Sequence, residues 1–147
     1  MAYEFTMRRR VEFHETDMAG IMHFSNYFRM MEIAESSFYR SLGFSVVMVE
    51  SGTGWPRVHA ECDYARPLRF EEEVEIRLVV AEKRRRSVCY LFKFIKQEGA
   101  EAVVAARGKV VAVCAQVSRE GKLSSISLPP YFDTQVEAAP AEIVAAW

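Results

Sequence analysis

The chain has 147 residues, half of them hydrophobic, with 19 basic against 20 acidic side chains and a net charge of −1. That length fits one domain whose core needs no disulfide or metal staple. The near balance of charge excludes bulk attraction to nucleic acid or to a membrane surface, and no apolar run reaches the ~20 residues of a membrane span.

Residues 3–13 alternate. Tyr3, Phe5, Met7, Val11 and Phe13 share one face, Glu4, Thr6, Arg8, Arg10 and Glu12 the other, and Arg9 is the one breach. Period two predicts a half-buried strand, and the same residues lack the apolar core of a signal peptide. Over 26–42 the period changes. Tyr27, Met30, Met31, Ala34, Phe38 and Leu42 recur at helical steps, and Phe28, Ile33 and Tyr39 widen the apolar face. This predicts an almost wholly buried helix. Ser25 or Asn26 is placed to cap its first turn, and Gly43 to end it in a left-handed conformation.

After the loop Ser51-Gly52-Thr53-Gly54, Val58, Ala60, Cys62 and Tyr64 alternate with Arg57, His59, Glu61 and Asp63. Val74, Ile76, Leu78 and Val80 continue the period. Residues 87–97 and 101–117 are apolar on both faces and predict central strands. "SREGK" (118–122) reads as a turn into a last short strand that Pro129-Pro130 ends, and 133–147 reads as a loose tail or a short helix. The order is strand, long buried helix, then four or five strands with short links. It predicts one α+β domain over 1–147, with an antiparallel sheet curled around the helix. Cys62, Cys89 and Cys114 are odd in number, lack metal-ligand spacing and lie in strand-like runs. They read as buried reduced thiols, which suits a cytoplasm.

No GxxxxGKS/T, GxGxxG or GxSxG motif occurs, and His14, His23 and His59 form no helical metal pair. No metal or cofactor is expected. Asp17 stands out, between a strand end and a helix start, with Gly20 letting the chain turn. A helix start presents unpaired N–H groups and the positive end of a dipole, which suit an oxyanion. A carboxylate beside it can activate water or attack an acyl carbon. The plain alternative is that Asp17 hydrogen-bonds its own turn.

The run "ETDMAGIMHFSNYFRMMEIAESSFYRSLGF" (15–44) resembles the signature of 4-hydroxybenzoyl-CoA thioesterase-like proteins, which have the hotdog fold. Asp17, Gly20, Asn26, Tyr27 and Glu32 stand in the family register. The likeness continues through "EKRRRSVCYLF" and "SREGKLSSISLPP", over roughly 3–131. The resemblance implies an acyl-CoA thioesterase acting on an aromatic or short-chain acyl group, with Asp17 as nucleophile or general base and the Phe24 backbone N–H polarising the thioester carbonyl. Many relatives carry Tyr-His where this chain has His23-Phe24. A backbone donor survives that change, and His23 takes a neighbouring role or is a surface or capping residue. The resemblance also implies Glu32 near the acyl end, with a salt bridge to Arg29 as the alternative, while Glu35 and Arg40 face solvent or an interface. Phe13, Met22, Phe24, Met31 and the Met48 region are pocket candidates. Arg84 and Arg86, expected on one strand face with Arg85 turned away, would contact CoA phosphates together with Lys122. A homodimer or homotetramer with its site at a subunit interface is implied. The rival readings are a carrier-protein thioesterase and a non-catalytic acyl-CoA-binding module.

Overall fold

The N-terminal alternation forms strand β1 (Glu4–Arg10), with Phe5, Met7 and Arg9 half-buried and their neighbours exposed. The computed structural model describes residues 1–147. The strand stops three residues short of its expected end. Phe13–Glu15 wind into one 3-10 turn, and Phe13 is 75% exposed, edge-on to Phe70 instead of in the core. Arg9 stays on the inward face because Glu15 neutralises it at 2.9 Å; the same carboxylate oxygen accepts the Glu12 N–H at 2.8 Å. A buried carboxylate is tolerable when paired in this way.

Helix α1 (Ser25–Ser41) forms on the predicted period, with Tyr27, Met30, Met31, Ala34, Glu35 and Phe38 as its buried stripe. Arg29, Glu32 and Ile33 face outward, so the helix is covered on one side and not all round. Neither Ser25 nor Asn26 caps it: Ser25 is already helical, and no side chain bonds as a cap from Phe24. The far end follows expectation. Gly43 adopts φ +89°, its N–H donates to Arg40 O, and the Phe44 N–H donates to Tyr39 O. These are the two bonds of a Schellman motif.

The strands β2 (Thr53–Gly54), β3 (Arg57–Tyr64), β4 (Glu73–Lys83), β5 (Ser87–Glu98) and β6 (Glu101–Val113) follow. The main sheet runs β1-β4-β5-β6-β3, antiparallel throughout, with β5 and β6 interior as expected. The single strand expected over 101–117 breaks at Cys114. Its continuation, β7 (Ala115–Val117), joins β2 and β8 (Leu123–Ser125) in a small second sheet. Helix α1 lies across one face of the main sheet, against β1, β3 and β4. Gly108 on β6 permits the close approach, since a Cβ there would overlap the Met31 thioether.

The tail is not loose. It forms α2 (Pro130–Asp133) and α3 (Ala141–Ala145). Phe132 is fully buried against Tyr39 and Trp55. Ala2 exchanges hydrogen bonds with Gln135 and Glu137, and the Ala139 N–H reaches Val80 O at 2.8 Å. At the end of the chain, Lys93 Nζ sits 4.7 Å over the Trp147 ring. The three cysteines are free thiols; Cys89 and Cys114 are buried and Cys62 is half-buried. No helix is long and apolar enough to cross a membrane. β3 is the anomaly. It is an edge strand whose apolar residues lie largely open, Val58 at 63% and Tyr64 at 47% exposure.

Candidate active site

The segment before α1 is a small hairpin. Thr16 bridges Met22, the Asp17 N–H donates to Ile21 O, and the Gly20 N–H donates to Asp17 O at 2.9 Å. Gly20 sits at φ +79°, where a side chain would be strained. Asp17 thus opens a tight turn, and its Oδ1 accepts the Ala19 N–H at 2.9 Å. One carboxylate oxygen does what Asp commonly does at a turn; Oδ2 bonds no group of the chain.

Three contacts hold this hairpin against the helix start and against the segment 65–68. Glu15 O accepts both the His23 N–H (2.8 Å) and Asn26 Nδ2 (2.8 Å), and the Met22 N–H donates to Leu68 O at 2.7 Å. The opposite wall, 65–68, is pinned by the buried Lys96, whose Nζ donates to Pro67 O at 2.7 Å. Between the walls lies a cleft of about 430 Å³ lined by Asp17, Met22, Phe24, Tyr27, Tyr64 and Pro67, among others.

Phe24 occupies the helix N-terminus, and its N–H donates to no acceptor in the chain. Tyr64 Oη donates to Phe24 O at 3.1 Å, which fixes the peptide on the other side of that residue. Phe24, with this unpaired N–H at the positive end of the helix dipole, and Asp17 line the same cleft. Burial pushes the phenols of Tyr27 and Tyr64 up to about 12, with Cys62 adding to both, so both stay protonated at neutral pH. They form a neutral aromatic wall, 4.8 Å apart and edge to face.

The Thioesterase-like superfamily model matches residues 11–146. The chain belongs to the Thioesterase-like superfamily. Over 120 residues it is 35% identical to a protein of Aquifex aeolicus (strain VF5), covering 77% of this chain and 94% of that one. Over 91 residues it is 31% identical to the 4-hydroxybenzoyl-CoA thioesterase of Pseudomonas sp. (strain CBS-3), covering 59% of this chain and 64% of the relative. The solved structure of that thioesterase superposes with a TM-score of 0.80 at 25% identity, over 90% of this chain and 99% of the other. A gentisyl-coenzyme A thioesterase superposes at 0.76 with 32% identity, over 86% and 98%. The α+β fold, one long helix on an antiparallel sheet, is the hotdog fold of these thioesterases.

In this superfamily member the other sequence candidates separate into three places. His23 and Asn26 support the loop. His23 Nδ1 accepts the Ser25 N–H at 3.3 Å and lies 2.8 Å from Ser25 Oγ, so the imidazole caps the helix. Asn26→Ala removes the buried bond to Glu15 O. It is expected to destabilise the fold by about 1 kcal/mol in a thermal melt and to slow turnover by loosening the hairpin that carries Asp17.

Glu32 is exposed, not enclosed by the helix face, and forms no ion pair with Arg29. It borders a recess of about 130 Å³ farther along α1, roughly 12 Å from Phe24 along the helix axis. The enclosed acid of α1 is Glu35, which the sequence places in solvent or at an interface. It is 1% exposed, and its Oε1 accepts from Arg57 Nη2 at 2.7 Å. Its position four residues from both Met31 and Tyr39 places it on the buried stripe, so the spacing carried the signal. Of the pocket candidates, Met22 and Phe24 line the cleft, Met31 lines the recess, and Phe13 lines neither.

Arg84 and Arg86 do not share a strand face, because β4 ends at Lys83 and the backbone bends at 85–86 before β5. Arg84 turns back onto Glu82 at 2.9 Å, whereas Arg85 and Arg86 reach Ser127 and Ser125 at 3.4 Å. With Lys122, in the exposed turn before β8, they lie at the end of the sheet opposite Asp17. Ser87 marks that end of β5 and Phe94 the cleft end, about 23 Å apart at the usual rise per residue.

Proposed function

We propose that the chain hydrolyses the thioester of an aromatic or short-chain acyl-CoA to the free acid and CoA. The observation that supports this is that Asp17 and Phe24, whose backbone N–H meets no acceptor in the chain, line one cleft. The thioester oxygen accepts from the Phe24 N–H as it gains charge. Asp17 either attacks the acyl carbon or takes a proton from the water that does. In either case the C–S bond breaks and the CoA thiolate takes up a proton; where water attacks, the acyl group keeps its oxygen, and where Asp17 attacks, water then hydrolyses the acyl–aspartyl anhydride, releasing the acid and restoring the carboxylate. No metal or redox group enters this chemistry. A relative's structure supports the reading: a mutant of 4-hydroxybenzoyl-CoA thioesterase, aspartate changed to asparagine, is complexed with 4-hydroxybenzoyl-CoA.

The working unit in this reading is a homodimer paired through β3, and a tetramer is two such dimers. β1, the other edge, is tied at its start to the tail through the Ala2–Val136 bridge, whereas β3 leaves Val58 and Tyr64 exposed along a free edge. Two-fold antiparallel pairing sets the Arg57 end of one β3 beside the Tyr64 end of the other. The Arg85, Arg86 and Lys122 end of one chain then approaches the Asp17 cleft of its partner, where it can hold CoA phosphates. The three free thiols suit a cytoplasmic setting.

The test is free-thiol release from a panel of acyl-CoA esters, run beside the same acyl groups on a carrier protein. Turnover of at least one acyl-CoA at kcat/KM of about 10⁴ M⁻¹s⁻¹ or above is expected. Exclusive turnover of carrier-protein esters would move the substrate class, and binding without thiol release would make the chain a binding module.

A further inference from the structure

We infer that Arg57 of one chain closes the acyl end of its partner's Asp17 cleft and reads a hydrogen-bond acceptor on the acyl group. This rests on the thioesterase and dimer readings above, and it names a residue and a substrate feature that they leave open.

The Arg57 guanidinium has five N–H donors, of which one is used, toward Glu35. The other four meet no acceptor in the chain, and the side chain is 30% exposed. Glu35 is held inside the fold, so it fixes the guanidinium in place while leaving its outer donors open. The pair borders the recess beside Phe28, Met31, Ala60 and Phe92. An apolar recess with a rigid donor fork at its rim fits an acyl body that is apolar except for one remote acceptor, such as a hydroxyl or a carboxylate. A buried Arg–Glu pair is weak support for stability by itself, so stability does not account for the arrangement.

Within one chain Arg57 is far from Asp17. Arg57 and Tyr64 are the two ends of β3, separated by about 23 Å. Across a β3–β3 junction centred on the strands, the partner's Arg57 comes alongside Tyr64, one strand spacing of about 4.8 Å away. The faces agree. Arg57, Ala60, Cys62 and Tyr64 pair with Ala112, Val110, Gly108 and Ala106, and these are the β6 residues that turn toward α1. The partner's Arg57 therefore emerges on the helix side of the sheet, where the Asp17 cleft opens.

The experiment co-expresses two differently tagged chains, one Asp17→Asn and one Arg57→Ala, and isolates the mixed dimer. The probes are 4-hydroxybenzoyl-CoA, which carries a remote acceptor, and benzoyl-CoA, which lacks it. In the Arg57→Ala homodimer the preference for the hydroxylated ester, measured as a ratio of kcat/KM, should fall by about 10- to 100-fold. In the mixed dimer one site keeps both its own Asp17 and the partner's Arg57. That dimer should retain about half the wild-type turnover per dimer with the wild-type preference. Preference lost in the mixed dimer would put Arg57 in the same chain's site and overturn the proposal, as would an unchanged preference in the Arg57→Ala homodimer. Where Arg57→Ala fails to fold, Arg57→Ala with Glu35→Gln removes the orphaned charge and takes its place. If Asp17→Asn keeps wild-type turnover, the carboxylate assignment falls, and the preference of the Arg57→Ala homodimer still decides whether Arg57 reads the acyl group.

Discussion

Asp17→Asn is expected to lower kcat for acyl-CoA hydrolysis by about 10²- to 10⁴-fold, the range for losing a positioned acid or base, with acyl-CoA affinity held within tenfold. The asparagine choice is deliberate. Oδ1 of Asp17 accepts the Ala19 N–H, and an asparagine carbonyl can accept the same bond and keep the turn. Only the second oxygen changes, from an acceptor free of the chain to a donor amide. If Asp17 served the turn alone, Asp17→Asn would behave as wild type, whereas Asp17→Ala would lose stability. If it serves the chemistry, both variants lose turnover and Asp17→Asn melts with the wild type. Thiol-release kinetics, equilibrium binding of the unhydrolysed ester and a thermal melt on the two variants decide between them. A wild-type kcat in Asp17→Asn would end the assignment.

The elements of this fold were largely legible because periodicity reports burial wherever a single chain supplies the cover. Helix α1 lies within a residue of its predicted span, and Gly43 ends it as its position implied. The failures occur where cover or charge compensation comes from elsewhere. Phe13 continues the alternation of β1, yet the chain turns at Phe13–Glu15, since Glu15 must fold back to neutralise Arg9. No local pattern encodes that pairing. The break at Cys114 has a similar origin: 115–117 pair with β2 and β8, short strands that composition does not announce. Val58 and Tyr64 alternate as core residues and stand exposed, so the apolar pattern in β3 finds no cover within this chain.

The site divides the same way. Asp17, Gly20, Phe24 and Tyr27 lie within eleven residues, and a strand–turn–helix joint brings them together by local geometry alone. Glu35 and Arg57 are 22 residues apart on different elements. A helical wheel places Glu35 inside, but nothing local names the cation that lets it stay. Strand alternation would put Arg84 and Arg86 on one face, but β4 ends at Lys83 and the backbone bends at 85–86.

Arg57→Ala should be the most destabilising single change in this region, at about 3 to 5 kcal/mol near pH 8, because it strands a carboxylate that is 1% exposed. Its pH dependence carries the diagnosis. Burial pushes the Glu35 carboxyl up, and Arg57 pulls it part of the way back. Without Arg57 the burial is unopposed and the carboxyl rises further. An acid raised in the native state binds more protons there than in the unfolded chain, between its ordinary value of about 4.3 and its native value. Through that window stability falls as pH rises; above it the penalty is full and constant. The variant should therefore recover stability on acidification, over a wider window than the wild type. Glu75 works the other way: burial alone would raise it, but Arg77 and Arg8 outweigh that and lower it. That contribution is common to both proteins and cancels in the difference between their curves. Adding Glu35→Gln to Arg57→Ala removes the group that titrates, so the extra pH slope should vanish and part of the lost stability return. Denaturant unfolding of the wild type, Arg57→Ala and the double variant from pH 5 to 8 measures all three. Parallel wild-type and Arg57→Ala curves would mean that Glu35 finds another partner or water, and that Arg57 is not what holds its charge inside the fold.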